Sequence, residues 1–159
     1  MNKTLLLKQI VSCLGENLGT LQRAAQASHV EATHESSRAE SKYDTRGLEA
    51  AYLAGGQARQ AKETLDAIKV YETLPLLNFT ARDPIDLTAL VELEADGVSS
   101  TYFIGPKNGG LEIEFQGKEV VVITPQSPLG EILMGKKSGA RWAAKVGGST
   151  VKYRVVEVA

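Results

Sequence analysis

The segment that decides the fold is Ile123–Lys137, with the sequence ITPQSPLGEILMGKK. Its residue order predicts a strand end, a proline-containing turn, a short amphipathic helix and a helix stop. Ser127 is a good N-cap, and Pro128 suits the first helical position because no intrahelical donor is needed there. The apolar residues of the helix are spaced to share one face. These are Leu129, Ile132 and Leu133.

The same segment also predicts where the helix ends. Gly135 is placed to terminate it, because glycine adopts the left-handed backbone that closes many helices. Lys136 and Lys137 then suit the negative end of the helix dipole. We therefore expect this helix to cover one face of a sheet.

The first half of the chain predicts two helices. No proline occurs before Pro75, and apolar or small residues recur in alternating steps of three and four, the mark of a packed helical seam. The two helices are expected to pair antiparallel. The first seam is Leu7, Val11, Leu14, Leu18, Leu21, Ala25, Ser28 and Ala32; the second is Leu48, Ala51, Ala54, Ala58, Ala61, Leu65 and Ile68.

A polar segment, residues 35–46, separates the two seams and forms the expected tip. The seam becomes rich in Ala and Ser toward this tip, so the far end should be slim. About 30 helical residues make an arm of roughly 45 Å, which favours a reaching role. Gly55 and Gly56 interrupt the second helix, and either close packing or a bend explains them.

The second half changes to a period of two and to turn residues, which predicts an antiparallel sheet. The predicted class is α+β: an antiparallel two-helix coiled coil followed by a sheet domain with one short helix. We expect the arm at 1–74, a linker at 75–85 and the sheet domain at 86–159. The predicted strands are 86–94, 99–104, 111–115, 119–123, 141–146 and 151–158.

Composition excludes several classes of protein. The net charge of −1 over 159 residues gives no global field for nucleic acid. The single cysteine, Cys13, excludes internal disulfides and a cysteine-based zinc site, and it is expected to be a buried apolar residue. No signal peptide or membrane span is visible, so a cytoplasmic location is expected. From Lys107 onward, eight basic and five acidic side chains would suit an acidic protein surface.

At this point the chain resembles the bacterial transcript cleavage factors GreA and GreB, which bind RNA polymerase. The family's C-terminal domain is FKBP-like and follows a two-helix coiled coil, so the resemblance covers nearly the whole chain. Ala140 stands where the family usually has an aspartate after the glycine. The matching residues are Ser127–Gly130 (SPLG), Leu133–Lys136 (LMGK), Gly139 and Tyr153–Val156 (YRVV).

The tip departs from the family pattern. Gre tips carry an Asp and a Glu three residues apart, which the resemblance associates with holding a second Mg²⁺ of the polymerase and cutting backtracked RNA. Here Ser37 stands three residues before Glu40, and Glu35 stands five before it. The candidates for such chemistry are Glu35, Glu40 and Asp44. Mg²⁺ prefers one or two carboxylates with water and phosphate oxygens, so any ion would be shared with the polymerase and none is intrinsic.

Alternatives to metal binding remain open at the tip. It can be an ordinary solvated loop, and Asp44 can be an N-cap for the second helix. Basic residues are interleaved with the acidic ones and would partly neutralise them. The expected tip contacts with polymerase are Arg38, Lys42, Tyr43 and Arg46.

The resemblance implies an accessory factor, not an enzyme, that inserts its arm into the polymerase secondary channel. Docking would use Ser127, Pro128, Leu129, Gly130, Lys136 and Lys137. The missing acidic spacing favours channel occupancy without strong cleavage over genuine cleavage stimulation. Contact with nucleic acid would be indirect, with DNA binding left open, and a monomer with no membrane association is expected.

Two other classes of function are also considered. One alternative is a peptidyl-prolyl isomerase or chaperone module, because FKBP-like folds host that activity, although fold alone is weak support. A plain coiled-coil protein would use the arm to dimerise. His29 and His34 lie five residues apart and would face different sides of a helix, unlike a metal-binding pair. Trp142 is interpreted as an aromatic of the sheet.

Overall fold

The computed structural model describes residues 1–34 and 46–159, apart from the side chain of Arg46. In the described part, three helices and six strands follow one another along the chain. The helices are α1 (Lys3–Thr33), α2 (Arg46–Glu72) and α3 (Pro128–Leu133). The strands are β1 (Leu90–Ala95), β2 (Val98–Ile104), β3 (Glu112–Phe115), β4 (Lys118–Ile123), β5 (Arg141–Val146) and β6 (Ser149–Val158).

The chain divides into two compact units that differ from the expected boundaries. The helical unit is Val11–Glu72, and the sheet unit combines Met1–Ile10 with Thr73–Ala159. The start of α1 is therefore part of the sheet unit, although the sequence placed it in the arm. Lys3 shows one reason: its ammonium donates to the carbonyl of Leu77 and, at 3.2 Å, to that of Thr88.

The seam of α1 follows the predicted pattern from Leu14 onward, but at the start of the helix the fully buried residues are Leu6 and Ile10, which the prediction did not contain. All eight predicted positions are buried or half-buried, with Leu14 and Ser28 the most enclosed. Ser28 also links the two helices, because its hydroxyl lies 3.1 Å from the Gln57 side-chain oxygen. The helical pair that the sequence predicted is thus present in the described residues.

The predicted seam of α2 is wrong at several positions. Four of its members, Leu48, Ala51, Ala58 and Leu65, are exposed, and Leu48 keeps 58% of its surface. The buried positions are offset from the predicted spacing: Thr64, Ala67 and Tyr71 are buried, whereas the predicted seam of four alanines, two leucines and one isoleucine did not contain them. The hydroxyl of one seam residue, Thr64, is satisfied by the Gln60 carbonyl at 2.9 Å. The buried residues of α2 are Ala50, Ala61, Thr64, Ala67 and Tyr71.

The six strands form one mixed sheet in the order β3-β4-β2-β1-β6-β5. Four neighbouring pairs are antiparallel, but β2 and β4 are parallel, which corrects the expectation of a wholly antiparallel sheet. The cause is topological: β3 lies at the sheet edge, and the chain returns through β4 between β3 and β2. The first strand also starts later than predicted, because Thr88 has a φ of 68° and interrupts extended backbone.

The main core of the sheet unit lies on the face that α3 covers. Leu133 from α3 packs with Val91, Leu93 and Val155, and Leu129 packs against this cluster. Ile132 instead keeps 42% of its surface exposed, so only two of the three predicted apolar residues face the core. A helix of six residues does not have the length to bury a broader face.

The segment predicted as a linker belongs to this core. Ile85 is 1% exposed and is part of the same apolar cluster. Its N–H donates to the Lys136 carbonyl at 2.7 Å, and its carbonyl accepts from the Gly135 N–H at 2.9 Å. The backbone around the end of α3 is thus fixed to the chain that enters the sheet.

The start of α3 is fixed by a very close backbone approach. The Ser127 hydroxyl accepts from the Gly130 N–H at 3.1 Å and donates to the Thr124 carbonyl at 2.8 Å. A Cβ on Gly130 would lie 1.9 Å from that same carbonyl oxygen. Only glycine fits at position 130, so the last residue of the Ser-Pro-Leu-Gly pattern is required by the fold.

We expect Gly130→Ala to lower the free energy of unfolding by about 1–3 kcal/mol, because the backbone must move to admit the methyl group. Gly15→Ala is a matched control, since a Cβ there meets nothing within 4 Å. The control should raise stability by about 1 kcal/mol, as alanine is the better helix former. Urea unfolding followed by circular dichroism measures both, and equal stability of the two variants would contradict this account.

Candidate docking surface

The residues predicted for docking divide into two groups in the structure. Ser127, Leu129 and Gly130 are used in capping and packing α3, and Gly130 is buried. Pro128 and Lys137 are exposed. Together with the exposed Ile132, they form the accessible part of the motif, which we call the α3 surface. It combines apolar and cationic groups, which suits a protein partner.

Lys136 has a local role beside this surface. Its ammonium lies 5.1 Å from the centre of the Trp142 ring, within the range of a cation–π interaction. Trp142 in turn stacks on Tyr153, its cross-strand partner, with ring centres 5.2 Å apart. Both rings pack against the core, as predicted for Trp142. Lys136 is thus held by the sheet and is less available to a partner than Lys137.

The charge of Lys137 acts on Asp83, whose carboxylate stabilises a short turn with Thr80. Asp83 accepts from the Thr80 hydroxyl at 2.7 Å and from the Thr80 N–H at 2.8 Å. The hydroxyl bond, then the backbone bond, lowers the pKa of Asp83 below its ordinary value, and the charge of Lys137 adds to this. Burial lowers the pKa of Lys3 in the same unit. Neither group resembles a catalytic acid or base.

The predicted tip residues lie outside the described residues. These are Glu35, Arg38, Glu40, Lys42, Tyr43 and Asp44, and the side chain of Arg46, at the first position of α2, is not described either. His29 and His34 are both exposed. Within residues 1–34 and 46–159, no three His, Cys, Asp or Glu side chains converge as metal ligands would.

A second surface, missed by the sequence analysis, lies on the other face of the sheet. A shallow groove of about 660 Å³ is lined by residues of β1, β5, β6 and the turn between β1 and β2, and five of these nine residues are charged. We call it the basic groove. The period-two spacing of charges on both sides of the Gly147-Gly148 turn could have signalled it. Its charged residues are Glu94, Asp96, Arg141, Lys152 and Arg154.

Comparisons with known proteins give a consistent but distant likeness. No protein-family model and no curated protein sequence matches the chain. Among solved structures, similar chains are Gre and Gfh1 factors.

The GreA factor homolog 1 (Gfh1) of Thermus thermophilus is 20% identical, with 94% of each chain covered and a TM-score of 0.36. Thermus aquaticus Gfh1 is 20% identical over 92% of each chain, with a TM-score of 0.38. The elongation factor GreA/GreB from Nitrosomonas europaea is 18% identical over 74% of this chain and 94% of its own, with a TM-score of 0.37. Likenesses this distant do not establish membership of a family.

No helix within the described ranges is both long enough and apolar enough to span a bilayer. Both long helices, α1 and α2, carry charged residues throughout their length.

The hydrogen bonds of Asp83 predict how the stability of the protein changes at low pH. Because the folded-state pKa of Asp83 is lowered, its contribution to stability is present above the unfolded-state value of about 3.9 and is lost as the pH falls through the folded-state pKa. Asp83→Asn should therefore lose less stability than the wild type when the pH is lowered. Urea unfolding at neutral pH and near pH 3 tests this, and identical pH profiles for the two proteins would contradict it.

Proposed function

We propose that this protein is a Gre-like regulator of transcription elongation, which binds RNA polymerase and inserts its helical arm into the secondary channel. The observation that carries the proposal is the joint presence of a helical pair and a sheet unit organised by the Ser-Pro-Leu-Gly helix. The residues that carry the resemblance are used structurally: Ser127 caps α3, Gly130 permits its close approach, and Gly135 ends it with a φ of 77°.

Docking is assigned to the α3 surface. Pro128 and Ile132 are exposed on a short helix that is fixed at both ends by backbone hydrogen bonds, and Lys137 is exposed just after its end. A rigid apolar and cationic patch loses little conformational entropy on binding, which favours a specific protein contact. In this account the protein is an accessory factor, and the catalytic chemistry belongs to the polymerase.

The arm is proposed to occupy the channel without strong stimulation of cleavage. Glu40 has no acidic partner three residues before it, and basic Arg38 and Lys42 flank it. A two-metal site needs carboxylates placed so that both metals stabilise the displacement. The tip lacks the acidic pair of the family. Its expected effect is therefore to hinder access to the secondary channel and to contact the polymerase. Any Mg²⁺ would remain bound by the polymerase.

The docking assignment predicts that Ile132→Glu with Lys137→Glu weakens binding to core RNA polymerase by about tenfold or more. The matched control is Leu5→Glu with Lys8→Glu, which makes the same chemical changes at exposed positions of α1. The control should bind like the wild type in a fluorescence-anisotropy titration. Undiminished binding by the α3 variant would remove the proposed docking surface.

Removal of residues 27–56 should separate docking on the polymerase from the effect on elongation. We expect this shortened protein to co-purify with core polymerase while losing its influence on elongation, because the sheet unit would dock but the arm would not reach. Loss of co-purification in the shortened protein would instead make the arm the main contact.

The cleavage question has a direct assay on backtracked elongation complexes. We expect little Mg²⁺-dependent shortening of the RNA by the wild type and no change in Glu40→Ala. Strong shortening that disappears in Glu40→Ala would show a genuine cleavage factor and would contradict the channel-occupancy version.

A further inference from the structure

The basic groove lies on the sheet face opposite α3. Leu93 and Val155 point into the core that Leu133 of α3 covers. Successive strand residues point to opposite faces, so their neighbours Glu94 and Arg154 point away from α3. The groove therefore stands apart from the proposed polymerase contact at the α3 surface and is not explained by it.

The positive charges of the groove are not balanced within the sheet. Arg141 lies directly opposite Arg154 in the register of β5 and β6, and like charges in this position repel. Arg154 forms an ion pair with Glu94 at 2.8 Å. Asp96 accepts instead from the backbone N–H of Lys152, at 2.9 Å. In the described part of the chain, neither Arg141 nor the Lys152 ammonium has an ion pair.

Two further buried atoms are left without a partner. The Nε of Arg154 and the Nε1 of Trp142 make no hydrogen bond within the described residues. Buried polar atoms in native proteins nearly always have a partner, so an unpaired one needs an explanation. An acidic group in the groove would lie among Arg141, Lys152 and Arg154, where it would relieve the repulsion between the two arginines.

The open backbone beside the groove indicates the shape of the partner. Among the described residues, β5 is the last strand of the sheet and pairs with β6 alone. Its side chains are exposed or half-buried along its whole length. An extended segment can add to such an edge through main-chain hydrogen bonds while its alternate side chains reach the adjacent groove.

We propose that the basic groove binds an extended acidic segment of a partner protein, which pairs with the β5 edge and places carboxylates on Arg141 and Lys152. Arginine binds carboxylates through paired hydrogen bonds, which gives the contact its geometry. Glu94 is paired with Arg154, and Asp96 accepts from a backbone N–H, so Arg141 and Lys152 are the groups left for a partner's carboxylates. Main-chain pairing with the β5 edge requires a peptide backbone, which favours a protein segment over a nucleic acid.

The test uses the full chain and a fluorescent peptide of about ten residues that alternates Glu with Val. We expect the wild type to bind it, and Arg141→Gln with Lys152→Gln to bind it about tenfold more weakly. Both residues are exposed, and removal of Arg141 relieves a like-charge pair, so the variant should fold. The control is Arg59→Gln with Lys62→Gln, an equal charge change at exposed positions of α2.

Three outcomes would contradict the proposal that the basic groove binds an acidic segment. These outcomes are no peptide binding by the wild type, equal weakening in both double variants, or equal binding of a peptide with Gln in place of Glu. Binding of a single-stranded RNA oligonucleotide that depends on Arg141, without peptide binding, would assign the groove to nucleic acid instead. The assay contains no polymerase, so its failure is distinct from a failure of the proposed function.

Discussion

The sheet unit depends on the close approach of Gly130 to the carbonyl of Thr124. That contact lets Ser127 cap α3, and it sets α3 at the angle from which Leu133 enters the core. At the other end of α3, the paired hydrogen bonds between Ile85 and Gly135-Lys136 fix the chain that enters the sheet. A side chain at position 130 would therefore disturb both the helix and the core.

The sequence predicted these elements where local chemistry determines the structure. Ser127, Pro128 and Gly135 have roles that follow from capping and backbone preference, and the α1 seam has unambiguous apolar spacing. The α2 seam was assigned wrongly because alanine and other apolar residues recur on more than one face of this helix, so their spacing alone did not select the buried face. Buried Thr64 and Ser28 both make hydrogen bonds, Thr64 to the Gln60 carbonyl and Ser28 to the Gln57 side chain, and a hydrophobic pattern does not reveal these bonds.

Features that depend on contacts between residues far apart in the chain were harder to predict from the sequence. The parallel pairing of β2 with β4 depends on where β3 inserts, and the packing of Ile85 depends on contacts with residues about 50 positions later. The basic groove needs the register that places Arg141 opposite Arg154. Gly55 and Gly56 have open space for a Cβ, so close packing against the described residues does not explain them, and nothing in the structure does.

The central claim is that the arm reaches the polymerase active centre while the sheet unit stays at the channel rim. A photo-crosslinking amino acid in place of Ser41, in a complex with backtracked core polymerase, tests this claim most directly. The account predicts crosslinks to the RNA 3′ end or to polymerase residues around the catalytic metal. Crosslinks confined to the outer surface of the polymerase, with binding intact, would contradict it.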